Sequence, residues 1–502
     1  MKHHLQELKK SQRLPTVGAW ALLVLFPWIQ LGVISLVLGK NALASYPVWS
    51  DELECWRTLF SWVSQGFPKG YGGIGEFHAS LGTLTSQGIM PILLYGGWGL
   101  LFGVTHSSIV LYNAALISLS ALVFCLLLKP KASSAAFLGG FLLIFPPTLL
   151  YATTSMSEMA NYALLLFYGS FFFRAQKTNE KWVLTLCWFT ATFACLYRIA
   201  YAALFLPLIF TENSRFFSGK TLLRFLLAAL LTVGVSGLGM ALSAPFPSGF
   251  LHQWFQVKDS ALFLQMFLSH AKGNLLDYFS RNPGNPLEGA LRILYCVAMV
   301  WTLLASFLSI QKTEGKLHVT LSFQRNECLA FFLLFLPFCI TQLFYETNDW
   351  WDFRALSPFL FGAVLWLTLS NRRTLPALLF AGSFAMLVWF ITLSPVGAFQ
   401  DEYRFISPPV SPQITEACQA IAYHPNAENP FENTVRSDII SFQIMQELDP
   451  ALGFQFGWFS PGSIGKSRWL LTDYLKTVVE DYESVHTTAG ANVYRKIIRD
   501  IP

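Results

Sequence analysis

Three carboxylates fall within four positions at Asp51, Glu52 and Glu54, about ten residues beyond the first long apolar run of the chain. Ionised acids are costly beside a bilayer, so a cluster placed there calls for an explanation. One is structural: Ser50 can cap a helix, and acids in a first turn gain about 0.3–1 kcal/mol from the helix dipole. The other is chemical, with Asp51 as a general base and Glu52 beside it. A second acid, Glu158, ends the stretch Thr154-Ser155-Met156-Ser157. Ser155-x-x-Glu158 fits a capping box, and the same glutamate could line a site. The cations that could answer these acids are Arg198, Lys258 and Arg354, with His270 and Lys272 near Lys258. Arg354 can hold an anion through two parallel N–H bonds, or pair with Asp349 or Asp352 in its own segment. Arg198 can meet a phosphate or snorkel to an interface.

The elements that must position these residues are apolar helices. The chain has 502 residues, 54% hydrophobic and 13% charged, with a formal net charge of +5. Soluble domains carry about 25% charged residues. Runs near twenty residues at 16–39, 106–128, 135–153, 159–173, 222–243, 288–310, 328–345, 355–370 and 374–394 are long or apolar enough to be read as membrane spans. Two stretches are ambiguous: 90–103 is short and glycine-rich, and 182–210 is interrupted at Tyr197-Arg198. Six basic clusters in short loops hold half of the 34 Lys and Arg. All fall on one side if 90–103 stays juxtamembrane and 182–210 crosses twice, with Arg198 at the tip of a hairpin.

This predicts an all-α polytopic membrane protein of about 11 transmembrane helices, N-terminus cytoplasmic and C-terminus extracytoplasmic. The basic start leading into 16–39 is expected to be a signal anchor rather than a cleaved leader. The transmembrane part spans 1–394, with juxtamembrane helices in a first external loop at 40–105 and a second large external loop at 244–287. Within the first loop, 54–63 is expected to lie at the interface, with Trp56, Leu59, Phe60 and Trp62 available to lipid headgroups. Residues 395–502 differ, with 13 acids and 8 bases. There, 411–423 predicts an amphipathic helix, 469–479 a strand or helix, and 482–485 with 492–494 a hairpin about Ala489-Gly490, together a small external α/β domain. The eight cysteines form no CxxC and no zinc pattern, and only Cys55 and Cys418, both expected outside, could be bridged.

The order of features in the first loop carries a resemblance. A first span is followed by an acidic pair, an interfacial helix, a loop, then Pro91-Ile92-Leu93-Leu94-Tyr95 and an apolar stretch ending in Phe102-Gly103. This resembles the C-type glycosyltransferase superfamily, in its protein mannosyltransferase and aminoarabinose transferase branch. The segment Phe353-Arg354-Ala355-Leu356-Ser357-Pro358 resembles that superfamily's R-Y-x-x-P element with the aromatic order inverted. An acidic-basic pair that often precedes the first proline is replaced here by Gln87-Gly88-Ile89-Met90.

The resemblance implies transfer of a sugar from a polyprenyl-phosphate donor to an acceptor hydroxyl on the extracytoplasmic face of a bacterial membrane. The acceptor would be a lipid, glycan or protein, and nucleic acid is not an expected partner. It further implies Asp51 and Glu52 as catalytic residues. Glu158, Arg198, Lys258 and Arg354 would bind substrate or donor phosphate, and a divalent cation (Mg or Mn), if one is used, would sit at Asp51 and Glu158. Two other classes compete: a transporter or flippase of lipid-linked sugars, which would place charges inside its spans, and a non-catalytic membrane assembly protein, which would leave the acidic turn without a task.

Overall fold

A computed structural model describes residues 2–66, 71–72, 80–85, 88–210, 218–243, 259–280, 286–313, 316–344, 353–393, 402–456, 467–473 and 482–497. It is mostly helical. In chain order the helices are α1 (Lys2–Leu38), α2 (Ser50–Gln65), α3 (Met90–Phe102), α4 (Ser108–Leu128), α5 (Ala132–Ile144), α6 (Pro146–Tyr151), α7 (Glu158–Thr178), α8 (Lys181–Tyr197), α9 (Phe205–Ile209) and α10 (Gly219–Leu242). They continue with α11 (Ser260–Ser280), α12 (Pro286–Phe307), α13 (Arg325–Phe344), α14 (Phe353–Leu369), α15 (Thr374–Leu393), α16 (Pro412–Gln419) and α17 (Phe442–Glu447).

Five of these, in α1, α4, α10, α12 and α13, are long and apolar enough to cross a membrane. The outward faces agree with that. On α10, Leu223 is 68% exposed and Val233 72%, apolar surface that water would penalise and lipid would not. Shorter apolar helices cover 90–102, 132–144, 181–197, 199–209, 354–369 and 374–389. One expected span is broken, and the interruption expected at Tyr197-Arg198 is present. The run 135–153 stops at Phe145, whose extended backbone is forced by the following Pro146-Pro147, and restarts as α6. The run 182–210 breaks at Arg198, extended at φ −150° and ψ 130°, and passes through a 3₁₀ turn, Ile199–Leu204, into α9.

α1 packs on α4 and α5, α4 on α7, α7 on α8 and α14, and α13 on both α12 and α14. Their facing sides make one apolar core containing Phe26, Phe124, Phe141, Phe172, Tyr201 and Phe361. In the first loop two short strands, β1 (Tyr71–Gly72) and β2 (Ser80–Leu81), pair antiparallel, and after α12 the chain forms a hairpin of β3 (Leu308–Thr313) and β4 (Lys316–Leu321) where a plain basic loop was expected.

The tail holds a five-stranded sheet of β5 (Thr434–Ser437), β6 (Gly453–Phe456), β7 (Trp469–Thr472), β8 (Tyr482–Thr488) and β9 (Ala491–Lys496), in the order β6-β5-β7-β9-β8. β5 runs parallel to β6 and β7, while β9 is antiparallel to β7 and β8. One sheet face, with Val435, Phe454, Trp469, Leu471 and Val493, buries itself with residues of α16 and α17 and with Trp56 and Leu59 of α2. The tail and the first loop therefore share a core. Trp56 is 2% exposed and donates from its indole to the Thr105 carbonyl at 2.8 Å. The α2 aromatics expected at lipid headgroups thus include one that is a protein contact, because α17 and α3 cover it. α3 comes close enough to α2 that a Cβ on Gly99 would meet Val63 at 2.7 Å and one on Gly96 would meet Trp62 at 2.9 Å, which accounts for these two glycines.

Candidate functional site

Glu158 is the deepest charge of the site. It opens α7 and its side chain is 2% exposed. Arg198 donates to it at 3.1 Å from the break after α8, and does not snorkel outward. The other terminal nitrogen of Arg198 donates to the main-chain carbonyl of Arg354 at 3.0 Å. Arg354, in the first turn of α14, donates to Asp51 at 3.0 Å and brings its Nε to 4.0 Å from Glu158. Side-chain exposure rises along this chain of charges, from 2% at Glu158 through 17% at Arg198 to 26% at Arg354 and 32% at Asp51. Four residues from four separate helices or breaks thus form one alternating acid–base network with its open end at Asp51. Two acids and two arginines cancel in formal charge, which is what makes so enclosed a cluster tolerable.

The scaffold around the network is rigid. Tyr201 donates to Asn161 at 2.6 Å, and Asn161 donates to the Glu158 carbonyl at 2.8 Å, which fixes the start of α7. Tyr162 and Ser357 share a hydrogen bond at 3.1 Å, joining α7 to α14 just below the two charged ends. Further along the same two helices a small apolar gap of about 20 Å³ lies between Leu165, Gly169, Phe359 and Gly362, with Leu204 and Trp366 also lining it. At 1.5 Å per residue, Leu165 lies about 10 Å along α7 from Glu158.

Glu52 has a different environment from Asp51. It is fully buried and its carboxylate accepts from the Val48 and Trp49 amides, each at 3.0 Å, from the Ser155 amide at 2.6 Å, and from Arg404. Both oxygens are engaged, so the carboxylate expected to stand beside Asp51 as a catalytic group is held by the backbone and by Arg404. Ser50 is the first residue of α2 rather than its cap, and Glu52, at the third helical position, reaches back to the amide of the cap residue Trp49 as the acidic half of a capping box does. The Ser155-x-x-Glu158 capping box is not formed: α7 starts at Glu158 itself, and the Ser155 amide serves Glu52.

Arg404 was not among the sequence candidates. Nothing marks it there, because its partner lies 352 positions away. Lys258 lies outside the described residues, as do Asp349 and Asp352. Cys55 and Cys418 are both free and buried, so the bridge that the sequence left open is not formed. Burial pushes the Cys55 thiol up, and the nearby carboxylates of Glu158, Glu52 and Asp51 add to it, a sign of how closely α2 approaches α7.

A divalent cation held by Asp51 and Glu158 does not fit this arrangement. The Arg354 guanidinium bridges the two carboxylates, and among the described residues no group of three His, Cys, Asp or Glu side chains could hold a metal ion.

No protein-family model matches this chain, and no curated protein sequence matches it. It is similar to ArnT from Cupriavidus metallidurans, solved with undecaprenyl phosphate bound, at 10% identity over 93% of this chain and 97% of that one, with a TM-score of 0.35. It is also similar to an Archaeoglobus fulgidus oligosaccharyltransferase solved with Zn and sulfate, at 12% identity over 98% of this chain and 73% of that one, with a TM-score of 0.41. Both likenesses are distant.

Proposed function

We propose that this chain is a multi-pass membrane glycosyltransferase that moves a sugar from a polyprenyl-phosphate donor to an acceptor hydroxyl on the extracytoplasmic side. The observation that carries it is the junction of a partly exposed carboxylate, Asp51, with an arginine pair, Arg354 and Arg198, at helix starts and a helix break. A lipid-linked sugar phosphate needs both features together: a base for the acceptor and cations for the departing phosphate. The eleven-span count, with a cytoplasmic N-terminus, belongs to this proposal and requires several of the shorter apolar helices to cross or to pair.

In the proposed step the acceptor oxygen attacks the anomeric carbon and gives its proton to Asp51 as the new C–O bond forms. The bond from that carbon to the phosphate oxygen breaks, and its electron pair leaves with the lipid phosphate. Arg354 meets the growing negative charge, and Arg198 braces Arg354 through its main-chain carbonyl. Glu158 holds both arginines and keeps the cluster neutral before the donor arrives. One displacement inverts the anomeric centre.

The transporter alternative loses ground on placement. The charges of the network sit at helix starts and breaks. A further buried pair, Glu288 with Arg292, is confined to the first two turns of α12.

The test is transfer from polyprenyl-phosphate-linked sugars extracted from bacterial membranes, using the full chain in lipid nanodiscs. Asp51→Asn is expected to lower the rate by about 10²–10⁴-fold, the range for loss of a general base. Unchanged turnover in that variant would remove Asp51 from the chemistry.

A further inference from the structure

Asp51 is one residue from Glu52, and Ser155 is three residues before Glu158. These two short segments carry the two acids of the network, and one side chain from the far end of the chain ties them together. Arg404 lies in a 3₁₀ turn, Glu402–Phe405, beyond the last long apolar helix. It is 1% exposed and donates to the Glu52 oxygen that also accepts the Ser155 amide. It reaches the Thr153 carbonyl at 3.5 Å, and its guanidinium carbon stands 4.9 Å from the centre of the Trp49 ring. Its own main-chain carbonyl accepts from the Tyr46 amide at 2.8 Å, so backbone and side chain both grip the segment leading into α2.

This is an expensive way to gain stability. Burying a charge pair costs more than an apolar pair of similar size unless every hydrogen-bonding atom is matched, and registry is the best-attested use of such pairs. Here Nε and Nη2 of Arg404 are buried without a hydrogen-bond partner. What the pair does secure is geometry: Glu52 accepts from four donors in three separate chain segments, and the neighbouring Asp51 side chain is presented to Arg354.

We propose that Arg404 is a positioning residue of the transfer site, which acts through Glu52 to fix Asp51 against Arg354 and Glu158. This rests on the catalytic reading of Asp51. Arg404 touches neither donor nor acceptor; it sets how far the base stands from the cation that receives the phosphate. The segment joining the last apolar helix to the C-terminal sheet thereby becomes part of the active site.

The experiment compares wild type, Arg404→Lys, Arg404→Met and Glu52→Gln/Arg404→Met as full chains in nanodiscs. The readouts are kcat and KM with extracted polyprenyl-phosphate-linked sugars, affinity for undecaprenyl phosphate as the probe of the anion site, and the melting temperature. Arg404→Met is expected to lower kcat at least tenfold, with KM and undecaprenyl phosphate affinity within about twofold of wild type. Arg404→Lys, which keeps the charge, is expected to recover part of kcat. If Arg404→Met does not fold, the double variant removes both buried charges and is expected to fold with kcat still depressed. Variants that melt earlier but keep wild-type kcat would overturn the positioning role and leave the transferase reading intact. A wild-type chain that binds undecaprenyl phosphate yet turns over no donor would overturn both.

Discussion

Two neighbouring acids on one helical turn have opposite fates, and the cause is what each one meets. Asp51 keeps about a third of its side chain in solvent and has one arginine. Glu52 is fully enclosed and saturated by amides and Arg404. An ion pair as exposed as Asp51–Arg354 contributes about 0.2–1 kcal/mol, so an incoming phosphate can displace it. In the proposed reaction Asp51 competes with the donor for Arg354 until the donor binds, which frees the carboxylate to act as the base. Asp51→Asn is therefore expected to bind undecaprenyl phosphate about two- to fivefold more tightly than wild type by calorimetry, while transferring no sugar at a useful rate. Weaker binding in that variant would show that Asp51 helps to hold the phosphate and does not compete with it.

At the scale of elements, α2 is the part that must be held still, and it is held from two sides. Arg404 fixes its first turn, and Arg57 fixes its second. Arg57 is 4% exposed and donates to the carbonyls of Met445 at 2.9 Å and Leu448 at 2.8 Å, as well as to those of Asp449 and Leu452, at the C-terminal end of α17. Burial lowers its ionisation to about 10, which still leaves it charged at neutral pH. A cation on the last carbonyls of a helix is also favoured by the helix dipole. Arg57→Met would leave several buried carbonyls unmatched, at about 1–3 kcal/mol for each unmet group. The expected outcome is a melting temperature lowered by several degrees, with undecaprenyl phosphate affinity near wild type because Arg354 and Arg198 are untouched. An unchanged melting temperature would show that this contact does not anchor α2.

At the scale of the whole molecule, the tail is built into the site. Its sheet shares an apolar core with α2, and its leading segment supplies Arg404. Truncation after Leu393 would strip Glu52 of its counter-charge and uncover Trp56 and Leu59. Breaking a buried ion pair by removing one partner costs about 3–5 kcal/mol. The truncated chain is expected to insert its apolar helices normally yet be cut by trypsin at Arg57, a site protected in the full chain, as read by fragment mass. Resistance at Arg57 in the truncated chain would show that α2 folds without the tail.

What the sequence determined by itself was local. Apolar run length placed the long helices, the interruption at Tyr197-Arg198 marked a true break, and Pro146-Pro147 held the signal for a break that run length alone passed over. The types and positions of Asp51, Glu158, Arg198 and Arg354 were enough to select them as candidates, because charges at the ends of apolar segments are costly and few. Only the tertiary structure decided which of them meet, that the Glu52 carboxylate accepts from backbone amides and Arg404, and that Arg57 and Arg404 both hold α2. The physical reason is separation: Arg404 finds Glu52 across 352 positions and Arg57 finds the Leu448 carbonyl across 391. A buried charge is made tolerable only by the partner that folding brings to it, and no spacing along the chain records who that partner is.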